Sequence, residues 1–159
     1  MEEYRLEKEE LINNVKAIID DNYPLYSNLS SVVCLIKETF DDASWAGLYI
    51  ANNDMLYVGP YQGSVACIVI PFNKGVCGKS AYKKQTIIVD DVNEFEGHIA
   101  CSSKTKSEIV VPIIKDDMVY GVIDLDSERY SAFDDDDAKI LEGIAKILAN
   151  LFYEDNKSN

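Results

Sequence analysis

The chain of 159 residues is long enough to form one domain that buries a core without disulfide or metal staples. Hydrophobic residues make up 47% and charged residues 27%, which is typical of a globular protein, and no apolar window is long enough to span a membrane. The formal net charge of −13 disfavours nucleic acid and anionic membranes as partners, because both repel an acidic protein. The mixed charge of the first segment predicts no signal peptide, so we expect a cytoplasmic protein with a single domain over residues 1–159.

Two helices are predicted at the start of the chain. The first covers residues 4–20, and its apolar face comprises Leu11, Ile12, Val15, Ile18 and Ile19. A second apolar pattern at 32–40 predicts the next helix, after an interruption at Pro24. Cys34 lies inside this pattern and is expected to be buried and unreactive, because free cysteine packs as a small hydrophobe.

The middle of the chain is rich in β-strand signals. Short strands are predicted at 45–51, 55–59, 65–70 and 86–89, and a short helix is predicted at 75–84. Residues 90–107 are polar and predict a long loop, of a kind that is usually either functional or disordered.

A hairpin and a long helix complete the chain. Strands at 108–115 and 118–126 are predicted to meet at the turn Asp116-Asp117. The last helix covers 134–153 and begins with an acidic run, which suits the positive end of a helix dipole. Because helices and strands are grouped rather than alternating, we expect an α+β fold with a central antiparallel sheet and the N- and C-terminal helices packed on one face.

Three carboxyl groups are predicted to meet on the hairpin. Asp124 and Asp126 are two residues apart in an otherwise apolar strand and therefore point to one face, and Glu108 begins the paired strand. Like charges held close raise the pKa of at least one member, which then carries a proton near neutral pH. The alternative is an exposed strand end with ordinary solvated acids.

Three of the four cysteines lie near the only histidine of the chain. Cys67, Cys77, His98 and Cys101 are grouped in a stretch that is dense in glycine and acid. Grouped thiols in a cytosolic chain indicate metal binding or redox chemistry. A Cys3His zinc site is one alternative, with His98 and Cys101 as a ligand pair, although no CxxC motif is present.

Three segments carry a specific combination of motifs, and they read WAGLYI, GPYQGSVACIVIPFNKGVCGKSA and VDDVNEFEGHIACSSKTKSEIVVPIIKDDMVYGVIDLDS. Together they resemble the free methionine-(R)-sulfoxide reductases, which are single GAF domains, over about residues 44–133. The resemblance implies reduction of free L-methionine-(R)-sulfoxide to L-methionine, with no bound cofactor. It also implies electrons from NADPH through thioredoxin reductase and thioredoxin, and a homodimer. A non-catalytic GAF module that senses a small molecule is the alternative, because a fold does not determine a function.

The resemblance implies a role for each matched cysteine. Cys101 is implied as the nucleophile that becomes a sulfenic acid, and Cys67 as the partner that closes a disulfide with it. Cys77 is a further family cysteine, whose role as a resolving or catalytic thiol stays open. His98 is equally open between ordering the loop and donating a proton, and it is not placed among the catalytic residues.

The resemblance also implies which residues line the substrate pocket. Trp45 and Tyr49 are expected around the methyl-sulfoxide end. Glu108, Asp124 and Asp126 are expected to face the sulfoxide oxygen and the substrate ammonium. Glu108 and Asp126 are the expected catalytic acids, because the oxygen must gain protons before it leaves as water. No metal is expected in this site.

Overall fold

Six antiparallel strands form one sheet within residues 7–158, the part of the chain that the computed structural model describes. The spatial order of the strands is β3-β2-β1-β6-β5-β4. Their bounds are β1 Trp45–Asn52, β2 Met55–Gln62, β3 Val69–Pro71, β4 Ile87–Val89, β5 Ser107–Lys115 and β6 Met118–Ser127. Residues 4–6 of the first predicted helix lie outside the described residues.

Helices cover both faces of this sheet. Their bounds are α1 Leu11–Ile18, α2 Leu25–Thr39, α3 Gly75–Lys83 and α4 Asp135–Lys157.

The acidic run has a structural role at the start of α4. Asp134 accepts a hydrogen bond from the Asp137 backbone N–H while the Asp137 carboxylate accepts one from Asp134 N–H, which forms a capping box.

The main apolar core lies between one face of the sheet and the helices α1, α2 and α4. Ile109, Ile123 and Leu125 from the central strands are buried there, against Leu141 and Ile144 of α4. The α+β fold with terminal helices on one face is therefore confirmed. The other face of the sheet carries a smaller apolar cluster under α3. On this second face, the central strands are available for a site.

The hairpin prediction is confirmed at its turn. Asp116 and Asp117 both adopt positive φ values, of 51° and 67°, which short acidic side chains tolerate better than branched ones. The resulting register places Glu108 opposite Asp126, and Val110 opposite Asp124. Residues directly opposite each other share a face, so all three carboxyl groups point to the same side of the sheet.

Four predictions from the sequence need correction. The first helix, predicted at 4–20, is an α-helix only over Leu11–Ile18 and follows a 3-10 turn at Lys8–Glu10. Helix α2 begins at Leu25 rather than near residue 32. The strand predicted at 65–70 is wrong over residues 65–68, since β3 comprises only Val69–Pro71. Cys34 is half-buried rather than buried, because it lies at the border of the apolar face, with its Sγ 3.7 Å from the Glu38 carboxylate.

The predicted loop at 90–107 contains a short element of its own. Val92–Glu94 forms a 3-10 turn, in which the Asp91 side chain accepts a hydrogen bond from Asn93 N–H. Within the described residues, no helix is long and apolar enough to cross a membrane.

Candidate active site

A cavity of about 380 Å³ opens on the face of the sheet that carries α3. The central strands β1, β5 and β6 form its floor, α3 forms one wall, and residues of the 98–105 loop form its rim. Nearly all of the site residues expected from the sequence line this cavity: Trp45, Tyr49, Cys77, Cys101, Glu108, Asp124 and Asp126. Cys67 does not line the cavity but is bonded to Cys101 at its rim.

The carboxyl cluster is held inside the fold. Glu108 is 6% exposed, Asp124 is 4% exposed and Asp126 is half-buried, which rules out an exposed strand end with solvated acids. Within residues 7–158, the Oδ1 atom of Asp124 is buried without a hydrogen-bond partner. A buried acceptor without a donor is costly, so the cavity is suited to a ligand that brings a donor or a positive charge.

Burial is the main cause of the altered acidity of the cluster. It raises the pKa of Glu108 well above its usual value, and the neighbouring Asp124 and Asp126 raise it further. The pKa of Asp126 is raised in the same way, by burial first and then by Asp124. Burial also raises the pKa of Asp124, although hydrogen bonding to Glu108 and Cys77 offsets part of this effect. The cluster therefore retains protons at a pH where ordinary carboxyl groups are ionised.

Two of the cysteines form a disulfide at the rim. The Sγ atoms of Cys67 and Cys101 are 2.02 Å apart, and their Cα atoms are 5.5 Å apart. Cys101 is exposed to solvent, whereas Cys67 is half-buried. Because these two sulfurs are bonded to each other, the Cys3His zinc alternative is not formed in this structure.

Cys77 is a free and buried thiol in the first turn of α3. It is 4% exposed, and burial followed by the charges of Asp124 and Glu108 raises its pKa well above the usual value. The close approach of α3 depends on Gly78, where a Cβ atom would lie 2.3 Å from the Pro71 carbonyl oxygen. The packing of α3 on the sheet thus holds a neutral thiol against the carboxyl cluster.

Aromatic side chains form the wall on the β1 side. The Trp45 ring stacks on Tyr61 with a centroid distance of 5.2 Å and on Tyr49 with a distance of 6.0 Å. Gly47 leaves room for this arrangement, because a Cβ atom there would lie 2.6 Å from the Trp45 ring. Tyr61 was not expected from the sequence, since alternation in β2 does not reveal which rings will stack across strands.

The same rings hold the segment that carries Cys67. Trp45 Nε1 donates a hydrogen bond to the Ser64 carbonyl at 3.0 Å, and the Tyr49 hydroxyl donates one to the Cys67 carbonyl at 3.1 Å. Burial raises the pKa of Tyr49, so it stays a neutral donor. Residues 64–67 therefore follow the aromatic wall instead of pairing in the sheet, which explains why the strand prediction failed there.

His98 lies at the rim beside the carboxyl cluster. Its Nε2 atom is 3.8 Å from Glu108 Oε1, which is too long for a hydrogen bond. Burial lowers the pKa of His98. His98 therefore makes no hydrogen bond with the cluster, and the structure gives it no closer contact there.

The chain is similar to known proteins over most of its length. The GAF domain family model matches residues 25–151. The free methionine-R-sulfoxide reductase of Saccharomyces cerevisiae is 44% identical over 148 residues, covering 88% of this chain and 82% of that protein. The Escherichia coli protein of the same name is 34% identical over 142 residues, with coverage of 89% and 84%.

A solved structure matches the whole architecture. It is the free methionine-R-sulfoxide reductase of Neisseria meningitidis in complex with its substrate, with a TM-score of 0.90 and 38% sequence identity. The match covers 96% of this chain and 92% of that one. The likeness therefore includes the sheet and the segments that build the cavity.

Proposed function

Since this chain belongs to the free methionine-R-sulfoxide reductases, a group of GAF-domain proteins, we propose that it reduces free L-methionine-(R)-sulfoxide to L-methionine. It is accordingly an oxidoreductase that acts on a sulfur group. One observation supports the assignment most directly: a disulfide between Cys67 and Cys101 lies at the rim of a cavity that holds buried, proton-retaining carboxyl groups. A sensing module requires the cavity but not this pair of thiols.

The two cysteines supply the electrons. The Cys101 thiolate attacks the sulfoxide sulfur, and methionine leaves while the oxygen stays on Cys101 as a sulfenic acid. The Cys67 thiol then attacks Cys101 Sγ, which breaks the S–O bond and releases the oxygen as water. Two thiols become one disulfide, so the sulfoxide gains two electrons and the two thiol protons end in the water.

The carboxyl cluster supplies protons where the oxygen develops negative charge. Glu108 and Asp126 are the proposed acids, because burial raises the pKa of both well above the usual value and so favours their protonated forms. Asp124 has an unpartnered oxygen, and we assign it to the substrate ammonium. Cys101 lies at the solvent-exposed rim, where its sulfur is accessible to a substrate in the cavity.

The same arrangement accounts for selection of the free amino acid. Trp45 and Tyr49 provide an apolar wall for the methyl-sulfoxide end. A peptide has an amide where the free amino acid has an ammonium, so it would leave buried carboxyl groups without a partner. Losses of this kind discriminate strongly between substrates.

We assign recycling of the disulfide to thioredoxin, which receives electrons from NADPH through thioredoxin reductase. The disulfide is accessible from solvent at Cys101. Exposed apolar residues lie next to Cys67 in the sequence, since Val65 is 84% exposed and Ile68 is 69% exposed. Exposed apolar groups beside an accessible disulfide suit a protein partner that must dock before thiol exchange.

Three further parts of the proposal rest on the family resemblance. A cytoplasmic location is consistent with a disulfide that must be reduced in every cycle. A homodimer is expected, and the whole chain is assigned to one GAF domain.

The test is NADPH consumption in the presence of thioredoxin and thioredoxin reductase. Free methionine-(R)-sulfoxide, the free S epimer and a peptide-bound sulfoxide are offered separately, with Cys101→Ser as the matched control. We expect turnover on the free R epimer only, and none in the control. No NADPH consumption with any of the three substrates, with folded protein and reduced thiols, would overturn the proposal in favour of a sensing module.

A further inference from the structure

Cys77 is a buried thiol that the proposed reaction does not use. Its Sγ atom and the carboxyl oxygens of Glu108 and Asp124 lie within 4.8 Å of one another, and all three residues are buried. They come from three different elements, α3, β5 and β6, which pack together around the cavity. We propose that Cys77, Glu108 and Asp124 form a binding site for a divalent cation that accepts sulfur and oxygen ligands, with Zn²⁺ as the best fit.

The spacing of these groups is compatible with zinc coordination. With Zn–S near 2.3 Å and Zn–O near 2.1 Å, neighbouring ligands of a tetrahedral site lie about 3.5 Å apart. The three groups therefore need to approach one another by about 1.3 Å at most, which rotation of side chains lining an open cavity can supply. Three protein ligands leave the fourth position to water from the cavity, as in open zinc sites.

A second and independent observation points to a cation. Asp124 Oδ1 is buried without a hydrogen-bond partner, although its residue lines the cavity. In the described part of the chain, neither Asp124 nor Glu108 is paired with a lysine or an arginine. A divalent cation would give this oxygen the positively charged partner that it lacks.

The thiol determines which cation is favoured. The carboxyl groups alone can accept the hydrogen bonds of a substrate ammonium, so an ammonium does not require the sulfur of Cys77. Mg²⁺ and Ca²⁺ select sites made of oxygen ligands only, whereas Zn²⁺ accepts thiolate and carboxylate together. This set shares only Cys77 with a Cys3His site made of Cys67, Cys77, His98 and Cys101.

Occupation by Zn²⁺ would exclude the substrate, and this consequence alone rests on the proposed function. Glu108 and Asp124 are the groups assigned above to the sulfoxide oxygen and the ammonium. One ion bound to both removes the two contacts together. Zn²⁺ would then act as a competitive inhibitor rather than as a cofactor.

The binding test uses the full chain in its disulfide form with Cys34→Ser, so that Cys77 is the only free thiol. Zn²⁺ is titrated by calorimetry against a competing chelator, and Co²⁺ is used to detect a thiolate-to-metal charge-transfer band. We expect one ion per chain, bound equally well with and without Cys34→Ser. Partners of metal ligands alone are worth about 10- to 100-fold in affinity, so Cys77→Ala and Asp124→Asn should each weaken binding by at least that factor.

An unchanged affinity in Cys77→Ala, or a Co²⁺ complex without the thiolate band, would overturn the site. Since both variants alter a buried position, a Zn²⁺-dependent rise in the Tm of the unsubstituted disulfide form provides a check that needs no variant. No rise at saturating Zn²⁺ would count against the proposal.

Competition is tested separately in a protein with Cys34→Ser and Cys101→Ser, which binds the sulfoxide without reducing it. We expect Zn²⁺ to weaken the binding of free methionine-(R)-sulfoxide, and Cys77→Ala to abolish this effect. Simultaneous binding would contradict the overlap. If the native protein, with Cys101 in place, reduced no sulfoxide but still bound metal through Cys77, the site would be upheld and the proposed function refuted.

Discussion

Asp124→Asn is expected to stabilise the unliganded protein, by an amount that grows as pH rises. Burial holds the pKa values of Asp124, Glu108 and Asp126 above those of the unfolded chain. The folded state therefore binds more protons than the unfolded state, so this cluster favours folding most below about pH 4 and loses that contribution as pH rises through the raised pKa values. An uncharged amide at position 124 removes one member of the cluster.

The magnitude follows from the spacing. Carboxyl oxygens of Glu108 and Asp124 lie within 4.8 Å, so two full charges there would repel by about 3.5 kcal/mol at an effective dielectric constant of 20. Protonation relieves part of that repulsion, which leaves an expected gain of about 2 kcal/mol at pH 8. For a chain of this length, that gain corresponds to a rise of about 4–8 °C in Tm.

The assay is thermal unfolding of both proteins between pH 5 and pH 8, monitored by circular dichroism. Asp21→Asn is the matched control, because Asp21 is exposed in the turn before α2 and lies outside the cavity. The difference in Tm should grow with pH for Asp124→Asn and stay near zero for the control. A variant that is less stable than the native protein at pH 8, or a difference that does not depend on pH, would refute the account of the cluster.

Three further outcomes are expected. Cys101→Ser should abolish turnover, whereas Cys67→Ser should spare the first reduction and prevent recycling, which single-turnover and multiple-turnover assays separate. Glu108→Gln and Asp126→Asn should each lower kcat/KM by about 10²- to 10⁴-fold with unchanged circular dichroism, and native kinetics in both would contradict their role as acids. The disulfide joins positions 34 residues apart, so its reduction should lower the free energy of unfolding, measured in urea, by about 4 kcal/mol. An unchanged midpoint of the urea unfolding curve would show that closure of this loop does not contribute to stability.

The hairpin could be predicted from the sequence because its signals are local. Strand alternation and the Asp116-Asp117 turn together determine the register, and the register places Glu108 beside Asp126. Burial of the cluster was harder to predict from the sequence, because it depends on α3 and on the 98–105 loop. Both cover the sheet from distant parts of the chain.

Other features depend on contacts that a sequence pattern does not encode. The apolar run at 65–70 resembles a strand, but Tyr49 and Trp45 hold its first residues against the aromatic wall. The pairing of Cys67 with Cys101 followed from the family resemblance and not from spacing, since four cysteines allow several pairings. The position of Cys77 beside the carboxyl groups follows from the packing of α3 on the sheet.

The most direct test of the central claim is a single turnover of the fully reduced protein with free methionine-(R)-sulfoxide, without thioredoxin. After denaturation and alkylation, the methionine formed and the state of each cysteine are measured by mass spectrometry. We expect one methionine per chain and a disulfide between Cys67 and Cys101, with Cys77 alkylated as a free thiol. No methionine, or a disulfide that contains Cys77 in place of Cys67, would contradict it.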